Sequence, residues 1–158
     1  MATVLLPNSD LVAVQWLSTI PGMTADVVAS QLPADNTQWQ ANGAVIATVF
    51  GGTPDPDINI AKPVVQVDCY AVVPSSGKPP WWKPSLLAEQ VRSACYDKPS
   101  HGRLLVLNAG GVAYPNARVI GARITVEPRR LWSDAADYAR VQLDLQLTWV
   151  SFIPTPSI

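Results

Sequence analysis

Apolar and polar residues alternate along the eleven residues from Ala139 to Trp149. Apolar side chains occupy the odd positions, and arginine, glutamine, aspartate and threonine occupy the even ones. A period of two is typical of a β-strand with one face on a core and the other against water or a polar partner. The run is about twice the usual strand length. We therefore expect a broad sheet or a partner chain to cover it, with Leu143, Leu145 and Leu147 buried.

Apolar runs or alternation predict five further strands, which are bounded by glycine, proline and other turn-forming residues. These strands are Val27 to Leu32, Gly43 to Phe50, Val64 to Val73, Leu104 to Leu107 and Val119 to Glu127. The last of them and the C-terminal strand should form a long antiparallel hairpin. Its tip would be the eleven residues from Pro128 to Tyr138.

Two segments have the periodicity of amphipathic helices. In the first, Asn8, Ser9 and Asp10 offer N-caps, Pro21-Gly22 ends the helix, and the apolar stripe is Ala13, Trp16, Leu17 and Ile20. The second helix should begin at Pro84 or Ser85, with a buried stripe of Leu87, Val91, Ala94 and Cys95. The order of elements predicts an α+β fold, with the two main helices packed on one face of a mostly antiparallel sheet. We expect residues 1–158 to form one domain, in which residues 151–158 are an irregular tail.

The composition indicates a surface that meets other proteins or a small exposed surface. Charged residues make up only 15% of the 158 residues, against roughly 25% in ordinary soluble domains. The net charge of −1 gives no electrostatic basis for sequence-specific nucleic-acid binding. No apolar run is long enough to span a membrane, and the N-terminus has no signal-peptide pattern.

The residues that usually carry catalysis or bind metals are isolated in this sequence. His101 is the only histidine and is expected in a solvated loop, without a nucleophile motif. Cys69 and Cys95 match no metal-binding spacing and are expected to be buried free thiols. The segment from Asp55 resembles a calcium loop, but Ile60 and Gln66 stand where glycine and glutamate are required. We therefore expect no enzyme activity, no cofactor and no metal.

Two aromatic segments are candidates for a protein interface. The stretch PPWW places two adjacent tryptophans in a stiff loop, and their side chains cannot both face the same core from an extended backbone. The predicted hairpin tip combines aromatic residues with charges of both signs. The simpler alternatives are packing within the chain for the tryptophans and a solvated loop for the tip. The candidate subunit or tube contacts are Trp81, Trp82, Arg129, Arg130, Trp132, Asp134, Asp137 and Tyr138.

Several stretches between Pro21 and Val150 resemble tail terminator proteins of long-tailed bacteriophages, particularly phages that infect actinobacteria. They are PGMTADVVASQLP, VIATVFGGTPDPD, PVVQVDCYA, KPPWWKPSLLAEQVRSACYD and EPRRLWSDAADYARVQLDLQLTWV. The resemblance implies a small α+β subunit that forms a ring, typically a hexamer. Such a ring caps the tail tube, stops its polymerisation and joins it to the neck of the capsid.

The expected partners are accordingly other copies of this chain, the tail tube protein and a head-to-tail connector or neck protein. The expected location is the tail-neck junction of the virion, after assembly in the host cytoplasm. Another neck or connector component is an alternative within the same class. A small enzyme or ligand-binding domain is the alternative outside it, and a deep pocket with convergent polar groups would favour that alternative.

Overall fold

The computed structural model describes residues 5–34, 39–40, 42–53, 55, 57–73, 79–132 and 138–152. Within these residues, two α-helices pack on one face of a mostly antiparallel sheet, and the last two strands form a long hairpin. The predicted α+β fold is therefore confirmed. Among the same residues, no helix has both the length and the hydropathy that a bilayer crossing requires.

The helices are α1 (Ser9–Ser18) and α2 (Trp82–Tyr96), and a short 3-10 helix follows α2 at Lys98–Ser100. The strands, in chain order, are β1 (Val28–Ala29), β2 (Ala44–Gly52), β3 (Ile60–Ala61), β4 (Pro63–Val72), β5 (Leu104–Leu105), β6 (Asn108–Ala109), β7 (Val112–Ala113), β8 (Ala117–Leu131) and β9 (Tyr138–Ser151).

The main sheet has the strand order β1-β2-β4-β9-β8-β5. Strand β3 continues the line of β4 along the same side of β9. The β1-β2 pair is parallel, and the other described pairs are antiparallel. Strands β6 and β7 form a separate hairpin, where Gly110 and Gly111 both have the positive φ that a tight two-residue turn requires.

Strand β9 confirms the alternation predicted for Ala139 to Trp149. Its odd-numbered side chains from Val141 to Trp149 are buried in the main core, which the two helices cover. We call this side of the sheet the helix face and the opposite side the outer face. Leu145 lies opposite Val65 of β4 and Ile124 of β8, so neighbours on both sides fix its position.

Strand β8 is longer than the sequence predicts. It passes through Pro128 and ends at Leu131, whereas we expected a loop to begin at Pro128. The register against β9 shifts at three places, and Pro128 lies in the shift between Val126 and Arg129. Proline is tolerated at such bulges because the ladder is already interrupted there. The hairpin tip is therefore shorter than predicted, and Arg129 and Arg130 lie in a strand.

Helix α1 begins as predicted, because the Asn8 side chain accepts the Leu11 backbone N–H at 2.8 Å. Its buried stripe includes Trp16, whose indole N–H donates to the Ser100 carbonyl at 3.1 Å. Ile20 is buried but lies just beyond the helix. Gly22, at φ +86°, turns the chain after α1.

Helix α2 begins at Trp82, earlier than the predicted start at Pro84 or Ser85. Pro84 occupies the first turn, where a helix tolerates proline because the first N–H groups have no helical acceptor. The predicted stripe of Leu87, Val91, Ala94 and Cys95 is buried.

Three other predicted strands are only partly correct. The segment from Val27 to Leu32 contributes only β1, and Leu104 to Leu107 contributes only β5. Strand β2 is buried from Ala44 to Ala47 but largely exposed beyond that. Apolar runs of this length can be covered by coil and helix as well as by a sheet, so they do not fix the number of paired residues.

We predict that Leu145→Ala lowers the free energy of unfolding by about 2–5 kcal/mol, because it leaves a cavity between two strands and the helices. Chemical denaturation measures the loss. Thr125→Ala, at an exposed position on β8, is the control and should change stability by less than about 0.5 kcal/mol. A similarly small loss for Leu145→Ala would mean that this face is not the core.

Candidate assembly interface

The interface candidates lie at one end of the sheet because the long strands are antiparallel. Strands β4 and β8 end there, and β2 and β9 begin there. The register places Val72 opposite Tyr138, and Leu131 opposite Arg140. Two segments that are about fifty residues apart in sequence, PPWW and the end of β8, are therefore neighbours in space.

On the helix face, Trp81, Arg130 and Trp132 form one cluster, which we call the tryptophan cluster. The ring centroids of Trp81 and Trp132 are 4.9 Å apart, at an interplanar angle of 52°. The Arg130 guanidinium lies 5.1 Å from the centroid of Trp81, within range of a cation–π interaction. The two interface candidates from the sequence are thus parts of one surface.

The adjacent tryptophans divide as the sequence analysis predicts. Trp81 is partly buried and packs against the main core, whereas Trp82 is 68% exposed. Lys83 lies beside Trp82, with its Nζ 5.7 Å from the ring centroid. Trp132 is 75% exposed although Trp81 holds one side of it. Such exposure of two indoles is typical of a binding surface, because large aromatic rings are enriched at interface hot spots.

The outer face carries a second aromatic group. Tyr138 contacts Tyr70 with ring centroids 5.6 Å apart, and Tyr70 meets Trp39 edge-on at 6.1 Å. Trp39 is buried with Ala44, Ile46 and Val72 in a small second core. Burial raises the pKa of Tyr70, and the negative charge of Asp68 raises it further. Because its ring packs against Tyr70, Tyr138 lies mainly within the chain, and only part of its side chain is available to a partner.

A buried polar network connects three strands beneath these aromatic residues. Asp68 is only 4% exposed and accepts three hydrogen bonds: from Arg140 Nε at 2.9 Å, Gln142 Nε2 at 2.9 Å and Gln66 Nε2 at 3.0 Å. Each of its oxygens therefore has a donor. Hydrogen bonds of this kind compensate for the cost of burying a polar group.

The second buried carboxylate of the network, Asp144, is poorly satisfied. Its Oδ2 lies 4.0 Å from Arg129, and its buried Oδ1 has no hydrogen-bond partner among the described residues. Arg129 donates to Gln142 Oε1 instead. The side chains of Arg129 and Arg130 therefore lie on opposite faces of the sheet, although the two residues are adjacent in the sequence. The remaining candidates, Asp134 and Asp137, lie outside the described residues.

This network is the part of the site that the sequence analysis missed. In the predicted strand Val64 to Val73, Asp68 and Tyr70 fall on the polar side of the alternation, but nothing in the sequence identifies their partners. Asp68 and Gln142 are 74 positions apart. The available signal was the pair Gln66 and Asp68, two positions apart in a largely apolar strand.

The chemically reactive side chains do not converge on a common site. Burial raises the pKa of Cys95 to about 12, and burial together with Asp68 raises that of Cys69. Both thiols are therefore protonated at neutral pH and are poor nucleophiles. His101 lies in a loop as expected, but its side chain is half-buried and not solvated. Among the described residues, no group of three or more histidine, cysteine or acidic side chains is arranged to hold a metal ion.

The resemblance to a calcium loop has a local structural explanation. Asp55 Oδ1 accepts the backbone N–H groups of Asp57 and Ile58 at 3.0 and 3.3 Å, as in turns closed by an aspartate side chain. This turn lies at the opposite end of the sheet from the tryptophan cluster, near the exposed side chains of Phe50 and Ile58.

Comparison with known proteins gives little further information. No family model matches the chain, and no curated protein matches it. Among solved structures, a chain from the virion of a native gene transfer agent particle is similar, with a TM-score of 0.49 and 14% sequence identity. The match covers 91% of this chain and 100% of that chain. A likeness at this level carries no argument about function.

We predict that Asp68→Ala lowers the free energy of unfolding by about 3 kcal/mol, because three buried or half-buried donors lose their acceptor. Asp144→Ala is the matched control and should cost less than about 1 kcal/mol, since one of its oxygens has no donor to lose. Urea denaturation of both variants measures the difference. If the two variants lost equal amounts of stability, Asp68 would not be the residue on which the network mainly depends.

Proposed function

We propose that this chain is a non-enzymatic structural subunit of a bacteriophage virion, which forms a ring on the end of the tail tube. In this function the ring, a hexamer, ends tube polymerisation and joins the tail to the neck. The chain would assemble in the host cytoplasm and remain at the tail-neck junction. Its partners would be its own copies, the tail tube protein and a connector or neck protein.

One observation carries the assembly part of this proposal. Trp82 and Trp132 are both more than two-thirds exposed, and Trp132 packs against Trp81, the sequence neighbour of Trp82, beside Arg130 at one end of a well-packed sheet. Tryptophan and arginine are the residues most enriched at interface hot spots. Because β8 and β9 support the cluster from a bonded hairpin, its side chains lose little freedom when a partner binds.

The tail-end location is supported by the sequence resemblance, which extends from Pro21 to Val150. The low charged fraction is consistent with it, because a subunit between a tube and a neck buries much of its surface. A terminating ring must bind the tube end without presenting a new one. Heterologous contacts that close on themselves meet this requirement.

The interface residues that we propose are Trp81, Trp82, Arg130 and Trp132 on the helix face, with Tyr138 and Arg129 contributing from the outer face. We also propose Asp134 and Asp137 as interface residues, on the basis of the sequence alone. These residues differ in role: Trp81 supports the ring of Trp132, whereas Trp82 and Trp132 supply the exposed contact area.

We predict that the double variant Arg130→Ala/Trp132→Ala folds normally but yields phage particles with faulty tail ends. Both side chains are exposed, so stability should change by no more than about 1 kcal/mol in total. Loss of the contact should give tails of irregular length or tails without heads. Circular dichroism checks the fold, and electron microscopy of particles from complemented phage measures tail length and attachment.

A matched control is available at the opposite end of the sheet. Arg118 lies 5.3 Å from the ring centroid of Phe152, much as Arg130 lies over Trp81. Arg118→Ala removes a similar exposed arginine–aromatic contact and should leave tails normal, as should His101→Ala. If the double variant gave tails of normal length attached to heads, the tryptophan cluster would not be the interface.

A further inference from the structure

A groove of about 440 Å³ lies between the end of α1 and the exposed side of α2. Its apolar wall consists of Ile20, Pro21, Leu86 and Ala94, and Glu89 and Asp97 also line it. No lysine, arginine or histidine is among its lining residues. The groove therefore has apolar walls, and the charged residues that line it are both acidic.

The groove also contains a hydrogen-bond acceptor without a partner. The Gln90 side-chain oxygen is buried and accepts no hydrogen bond within the described part of the chain. Gly22 explains how the amide fits, because a Cβ at this position would lie 2.7 Å from Gln90 Nε2. A buried acceptor without a donor costs free energy, so a partner's N–H group would be favoured here once the Gln90 amide turns its oxygen toward the groove.

Trp132 has the complementary properties. It offers a large apolar ring and an indole N–H donor, and it is 75% exposed at the end of β8. Arg130 lies in the same cluster and contributes positive charge. The apolar ring and N–H group of Trp132, with the positive charge of Arg130 nearby, therefore complement a groove that has apolar walls and two carboxylates.

We infer that Trp132 of one copy inserts into the α1–α2 groove of a second copy. The inference rests on the proposed ring and specifies the contact between its neighbours. Within one chain Trp132 packs against Trp81 instead, and Gln90 lies nine residues further along α2, about 14 Å at the helical rise. The contact is heterologous, and repeating it closes a ring when the rotation from one copy to the next divides a full turn evenly.

Two single variants separate the two halves of this contact. Trp132→Ala removes the inserted ring and leaves the groove intact. Ser93→Trp fills the groove from an exposed position on α2 and leaves Trp132 intact. Native mass spectrometry over a range of protein concentrations measures self-association. We expect the unmodified chain to form oligomers and each variant to associate roughly thirtyfold or more weakly.

An equal mixture of the two variants gives the sharpest result. Each mixed pair retains one intact ring and one intact groove, so dimers should form and should not grow further. Circular dichroism establishes that Ser93→Trp is folded, and Arg118→Ala serves as a control that should associate normally. Dimers that appear only in the mixture would support the inference.

The other outcomes contradict the inference in distinguishable ways. Oligomers that persist in both variants would place the subunit contact elsewhere and leave the ring proposal standing. A mixture that remains monomeric would mean that Trp132 and the groove do not meet. A monomeric unmodified chain at every concentration would also overturn the inference, whereas the tail-cap function is tested separately by tail morphology in particles.

Discussion

Strand β9 is bonded to another strand on each side, and the positions of the other long strands depend on it. Its odd-numbered side chains form the middle of the main core, beneath α1 and α2. Its even-numbered residues Gln142 and Asp144 are also buried, on the face that neither helix covers. The strand is therefore constrained on both faces and both edges. A change in its register would exchange the apolar and polar sets along the whole strand.

This constraint brings the proposed interface together. Antiparallel pairing with β9 places the ends of β4 and β8 on either side of the start of β9, which brings together residues from distant parts of the sequence. The outer face is held by Asp68 with its three donors. The helix face carries the exposed tryptophans. A rigid platform with an aromatic and arginine-rich end is suited to assembly, because little ordering is required when the partner arrives.

The sequence is most informative where local periodicity and tertiary packing agree. Strand β9 and the buried stripe of α2 could be predicted because both have a polar and an apolar side. The extension of β8 could not, since Pro128 usually marks a loop and only the bulge in the folded sheet makes it acceptable. The same limit applies to the polar network, whose members Asp68, Gln142 and Arg129 come from three strands. That Trp81 and Trp132 touch also depends on the sheet register, which no local pattern specifies.

The proposed function requires closed assembly at one end of a tail, and cryo-electron microscopy of intact particles tests this most directly. It predicts a single closed ring of this chain between the tail tube and the neck, with the β8–β9 hairpin of each copy against the helices of the next. One isolated copy at the tail end, or copies distributed along the whole tube, would contradict it.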